Sequence, residues 1–183
     1  MRPIVAIVVA VLSVQFAVAQ EEEVQRFGLR YNKDLYSQET TKQTLAAMLR
    51  AFERDRYDYL VAHLLDPGFV DEQLKLIQPI YEQRAREQVR KEGLEKMGFD
   101  PSFIRNRIRD HARQASYEHI VRRVRAKLDD DPEALKDLKR MAREGAIEEG
   151  AAAAVVRLKD VKDRALYLRK VGDRWFIENK MLE

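Results

Sequence analysis

Apolar residues recur with two different periods along this chain, and the change of period divides it. From Thr40 to Gly145 they keep helical spacing, three or four residues apart; from Ala154 onward they alternate, as in a half-buried strand. Thr40 and Gln43 form a capping-box pair, followed by Leu45, Met48, Leu49 and Phe52 on one helical stripe. Residues 55–58 interrupt that helix, with Asp58 as the expected cap of a second, short helix bearing Val61, Leu64 and Leu65. Asp66-Pro67-Gly68 reads as the turn that ends it. Residues 71–78 predict a short helix with Leu74 and Ile77 inward. Pro79 opens the next, which carries Ile80, Ala85 and Val89 and frays near Gly93 and Gly98. Asp100-Pro101 starts a long helix towards Leu128. Ile104, Ile108, His111 and Ala115 form one stripe on it, and Tyr117, Val121, Val124 and Leu128 a slightly rotated one, so a bend near Ser116 is expected. Asp131-Pro132 repeats the cap, Leu135, Leu138 and Met141 face inward, and Gly145 closes the helix.

At the other end, Gly172-Asp173 lies between two runs rich in β-branched and aromatic residues and suits a two-residue hairpin turn. Counting outward pairs Val171 with Arg174, Lys170 with Trp175, Arg169 with Phe176 and Leu168 with Ile177, so Leu166, Leu168, Trp175 and Ile177 share the core face. Ala154, Val156 and Leu158 join that face if Leu158 lies opposite Leu166 across a three-residue connection, 161–163. A one-residue slip would turn the whole set towards water. The opposite face, with Val155, Arg157, Tyr167, Arg169, Phe176 and Glu178, is mixed. Phe27, Leu29 and Tyr31 alternate with polar residues, as in a short strand or an extended segment laid over the sheet. The expected class is α+β, with N-terminal and central helices packed on a small C-terminal antiparallel sheet, a three-stranded meander.

The first residues change the picture of where the protein works. Met1-Arg2, an apolar run over 4–16 and then Ala17-Val18-Ala19 have the charged, apolar and small-residue parts of a secretory signal, with cleavage expected before Gln20. The run is short for a membrane span, and an exported periplasmic or extracellular protein without a span after cleavage is the expectation. The division is then a signal over 1–19, an extended segment over 20–39 and one domain over 40–183. No cysteine is present, which excludes disulfides, thiolate metal sites and cysteine catalysis. The formal net charge is +3, but residues 82–127 hold 13 Lys/Arg against 7 Asp/Glu. A basic helix can follow nucleic acid or another anionic polymer. Here the acids are interspersed at helical spacing, which reads as a solvated, salt-bridged face without nucleic-acid binding. Its long apolar stripe needs a hydrophobic partner in cis or in a second subunit of a homodimer.

Two separated pieces carry a family resemblance. A helix, the break Arg54-Asp55-Arg56-Tyr57-Asp58, a second helix ending Leu64-Leu65-Asp66-Pro67-Gly68-Phe69-Val70, and the terminal Leu168-Arg169-Lys170-Val171-Gly172-Asp173-Arg174-Trp175-Phe176-Ile177 resemble the nuclear transport factor two-like superfamily. The resemblance covers about residues 40–71 and 150–181. It implies an α+β cone with helices held in the concave face of a curved sheet, in a superfamily of small cyclases, isomerases, dehydratases and binding modules. Where such proteins usually place further strands this chain has a helical stretch, an insertion over about 72–145.

Candidate chemistry is sparse. His63, His111 and His119 are the three histidines and form no metal-binding spacing; His111, on an apolar stripe, reads as a core histidine. Asp129-Asp130-Asp131 lacks the alternation of a calcium loop and leads into Pro132, so capping accounts for it. No nucleophile elbow, phosphate loop or dinucleotide fingerprint occurs, and no cofactor or metal is expected. Tyr57, Tyr59, His63, Tyr167 and Trp175 are the candidate lining of a ligand pocket between helix and sheet. The leading expectation is an exported, non-catalytic module that binds a partner protein or small ligand or serves structurally in the envelope. The alternative is a small cone enzyme abstracting a proton with a buried carboxylate or histidine.

Overall fold

The computed structural model of the protein describes residues 25–94 and 96–179. The expected signal over 1–19 lies outside the described residues. The first helix, α1 (Thr41–Glu53), starts as the capping box requires: Thr40 accepts from the Gln43 amide while the Gln43 side chain accepts from the Thr40 amide. It ends where Arg54 and Asp55 break the chain, Asp55 at a φ of 55°. The next helix does not begin at an Asp58 cap. One α-turn, α2 (Tyr57–Tyr59), begins after Arg56, and Asp58 sits inside it, held by Arg56 through Nε at 2.8 Å and Nη2 at 2.9 Å. It widens into a π-helical segment, Leu60–Leu64.

Asp66-Pro67-Gly68 starts a helix; it does not end one. Asp66 accepts from the Gly68 amide at 3.0 Å, Pro67 takes the first helical position, and α3 (Pro67–Glu92) runs unbroken through Pro79. The Asp-Pro dipeptide serves turns and helix starts equally well, and only the packing along α3 decides between them. Gly93 closes α3 in the left-handed region. Asp100 and Pro101 open α4 (Pro101–Asp130), and Asp131 and Pro132 open α5 (Pro132–Glu144). The buried line of α4 runs through Ile104, Ala112, Ser116 and Ile120, with the Ser116 hydroxyl donating to the Ala112 carbonyl at 2.7 Å. His111 lies beside this line and is exposed, which corrects its reading as a core histidine.

Four antiparallel strands follow in sequence order: β3 (Ala146–Glu149), β4 (Ala153–Arg157), β5 (Leu166–Val171) and β6 (Arg174–Glu178). The three-stranded meander is therefore one strand short. Residues Ala146-Ile147-Glu148-Glu149 offer a single large apolar side chain to the sheet, too little alternation to announce a strand. They form an edge that two glutamates keep from further pairing. The β5–β6 register is the expected one, from Val171 opposite Arg174 to Leu168 opposite Ile177. Between β4 and β5 the pairing is displaced by two residues, with Val156 opposite Leu166 and Ala154 opposite Leu168. An even displacement preserves the faces, so Ala154, Val156, Leu158, Leu166, Leu168, Trp175 and Ile177 are all buried. The longer loop is tied to α5: Arg140 bonds Asp160 at 2.9 Å and Arg164 bonds Asp137 at 2.9 Å.

Two apolar cores result. One joins α1, α5 and the sheet through Leu45, Met48, Met141, Leu168 and Trp175; the other gathers Val61, Val70, Leu74, Tyr117 and Ile120 beneath Phe27 and Leu29. The π-helical segment serves both, with Leu60 and Leu64 in the first core and Val61 and Ala62 in the second. The extended N-terminal segment closes the second core as a small hairpin, β1 (Gln25–Arg26) and β2 (Leu29–Arg30), turning through Phe27 and Gly28 at positive φ. Phe27 stacks on Tyr117 with ring centroids 4.4 Å apart. Among the described residues no helix is long and apolar enough to cross a membrane.

Candidate functional site

Between the two cores the elements leave a cleft of about 560 Å³. Its walls come from the inner faces already laid down by the sequence pattern: Met48 and Phe52 of α1, Leu60 and Leu65 around the π-helical segment, Phe69 of α3, Leu138 of α5, and Leu166 and Ile177 of the sheet. The α4 wall is one helical face, Ile120, Arg123, Val124, Lys127 and Leu128, which alternates apolar and cationic groups three and four residues apart. Leu65 is held in place by a parallel bridge to Ile177, and the Asp66 amide donates to the Ile177 carbonyl at 2.8 Å.

The charged groups at the cleft divide by sign. Its two carboxylates are already engaged. Asp131 accepts from the Ala134 amide at 2.8 Å and pairs with Arg164 at 3.3 Å, while Glu178, mostly buried, lies 3.9 Å from Arg169 Nε. Arg169 in turn donates to Asp66 at 2.6 Å. Arg123 and Lys127 are exposed and have no carboxylate partner among the described residues. The cleft therefore combines apolar walls with two uncommitted cations.

None of Tyr57, Tyr59, His63, Tyr167 and Trp175 lines this cleft. Trp175 is core, its backbone fixed to Gln38 by the Trp175 amide to the Gln38 carbonyl at 2.8 Å and by Gln38 Nε2 to the Trp175 carbonyl at 2.7 Å. Tyr57 packs beside Phe52 under the Arg125 guanidinium. Tyr167 sits opposite Glu178 on the mixed face of the sheet. Tyr59 and His63 do come together, one turn apart with ring centroids at 4.8 Å, in a polar and aromatic cluster with buried Tyr36 and half-buried Tyr31 and Arg174. Burial pushes the Tyr59 phenol up to about 12; its hydroxyl accepts from the Asn32 amide at 2.9 Å.

His63 is 0 % exposed, and burial holds its imidazole down to about 4. Its Nε2 lies 2.9 Å from the Leu29 carbonyl, an acceptor, so the proton sits on Nε2 and Nδ1 is left bare. Nδ1 is buried without a partner among the described residues, as are Tyr36 Oη, Gln38 Oε1 and Arg174 Nη1. The cleft residues were missed in the sequence because each was explained by its own helix or strand stripe. The signal that could have found them is the α4 line Arg123 and Lys127, two cations four apart flanking Val124 and next to Leu128 on an otherwise inward face. No protein-family model, no curated protein and no solved structure matches this chain.

Proposed function

We propose that the protein is an exported, non-catalytic binding module whose ligand is a small amphipathic anion, its apolar body in the cleft and its charged end at Arg123 and Lys127. The observation that carries this reading is the cleft itself, apolar within and bordered by two cations without a carboxylate partner among the described residues. Its volume falls in the range of roughly 300–1,000 Å³ common to small-molecule sites. The accompanying fold reading is a divergent cone of the nuclear transport factor two-like type, supported by the helix break at Arg54 and by α1 packed on the inner face of the sheet.

The enzyme alternative calls for a titratable group free to act inside the cavity. Asp131 is occupied in capping α5 and in pairing with Arg164, Glu178 faces Arg169, and His63 is sealed in the other cluster. Those commitments favour binding. The test is a fluorescence titration with a long-chain carboxylate and with its uncharged methyl ester. Both should bind, the carboxylate more tightly, and Ala134→Trp, which fills the cleft from α5, should abolish both without lowering the melting temperature. Undiminished binding to Ala134→Trp would sink the assignment.

A further inference from the structure

A second surface lies outside this cleft: the tip where α3 gives way to α4. Met97 is 67 % exposed, Phe99 45 % and Phe103 47 %. The Phe99 and Phe103 rings stack at 5.5 Å, so the patch is continuous and not a scatter of single side chains. Its shape is set by the backbone. Gly93 and Gly98 at positive φ turn the chain, and Asp100 accepts from the Ser102 and Phe103 amides, which fixes Phe103 on the first turn of α4. The tip stands at the end of a long arm, since the 26 residues of α3 span about 39 Å.

Charge surrounds the patch unevenly. Residues 90–109 carry six basic and three acidic side chains. Of the acids, Glu92 lies 3.8 Å from Arg107 and Asp100 is taken up by the cap. Arg90, Lys91 and Lys96 are exposed and have no carboxylate partner among the described residues, while Arg105, also exposed, acts on the Asp100 carboxylate through its charge without an ion-pair contact. They form a basic collar behind an aromatic point.

We propose that this tip docks onto an anionic lipid bilayer, with Met97, Phe99 and Phe103 entering the headgroup region and the collar resting against lipid phosphates. A protein partner is disfavoured by size, because a stable interface needs roughly 800 Å² from each side and three side chains on a convex point offer far less. A fluid interface has no such threshold and admits protruding aromatic side chains singly. A second copy meeting this one tip to tip would bring two basic collars together. An anionic leaflet instead strengthens binding by roughly fivefold for each basic residue near it. The arm would hold the cleft away from the bilayer surface.

The experiment is vesicle flotation of the chain from Gln20, which contains every described residue and omits the apolar run near the start. Vesicles of phosphatidylcholine alone are compared with vesicles that also contain phosphatidylglycerol. The protein should float with the anionic vesicles and stay behind with the neutral ones. Phe99→Ser/Phe103→Ser and Lys96→Glu/Arg105→Glu should each weaken partitioning by roughly tenfold or more, while their thermal melts match the parent chain. Equal flotation with both vesicle types, or double variants that float like the parent, would overturn the proposal. So would a dimer, seen by sedimentation without lipid, that Phe99→Ser/Phe103→Ser dissociates, because the patch would then belong to a second copy. Ligand binding in the cleft is measured separately and can stand or fall alone.

Discussion

Residues 60–64, Leu-Val-Ala-His-Leu, carry four apolar side chains and residues 97–103, Met-Gly-Phe-Asp-Pro-Ser-Phe, three large ones, yet every residue of the first group is buried while Met97, Phe99 and Phe103 of the second stand in solvent. Side-chain size and apolarity do not explain the difference, since Met97, Phe99 and Phe103 are at least as large as Leu60 and Leu64. The first stretch runs between α1, α3, α4 and β6, and its wide π-helical turn lets neighbouring residues face different cores. The second has only the ends of two helices beside it. Burial follows from how many elements reach a segment, and a segment that few elements reach keeps its apolar groups available to something outside the chain.

The largest effect is expected from truncating one residue of the buried segment. Leu64→Ala removes a side chain that is fully buried where the two cores meet, and should destabilise the protein by about 2–5 kcal/mol. Urea denaturation reads this directly; a midpoint equal to that of the parent would mean the segment is not the junction described.

A smaller effect comes from His63 in the same segment. Its folded pKa of about 4 lies below the ordinary 6.5, so the unfolded chain binds the extra proton more readily. Stability contributed by the neutral ring is complete above pH 6.5 and declines as pH falls from there through about 4. The loss should reach about 2 kcal/mol near pH 5 and about 3 kcal/mol at the acid end of that window. His63→Gln keeps a donor for the Leu29 carbonyl and does not titrate, so its stability should lose this slope between pH 6.5 and 4. An unchanged slope would assign the acid sensitivity to other groups.

The smallest stability effect is expected at the tip. Phe99→Ser/Phe103→Ser should shift unfolding by no more than about 0.5 kcal/mol for each site, since neither ring is part of a core. A large loss would place these rings in the folded interior and erase the contrast with residues 60–64.

Much of the architecture was legible because it rests on local chemistry. The capping box at Thr40, the Asp-Pro pairs at 100–101 and 131–132, and the Gly172-Asp173 turn each satisfy backbone groups within a few residues. The helix starts and the β5–β6 register follow from them. The period of the apolar residues likewise assigned faces correctly in β4 even though its pairing with β5 is displaced by two. Alternation constrains parity and leaves the loop length free, and ion pairs from Arg140 and Arg164 to residues distant in sequence accompany the longer loop.

Tertiary structure decided the rest. Asp66-Pro67-Gly68 is a turn signal and a helix start at once, and Pro79 suits a first turn; α3 nonetheless starts at the one and runs through the other, packed along α4. β3 has one large apolar residue and becomes a strand because β4 offers it an unpaired edge. The five aromatic and histidine candidates are dispersed among a core, a sheet face and a second polar and aromatic cluster. The cleft is bounded by residues from four helices, the π-helical segment and two strands. Each of its walls is an ordinary inward stripe in the sequence. The space between them exists only once distant elements pack at fixed separations, a quantity that no local pattern encodes.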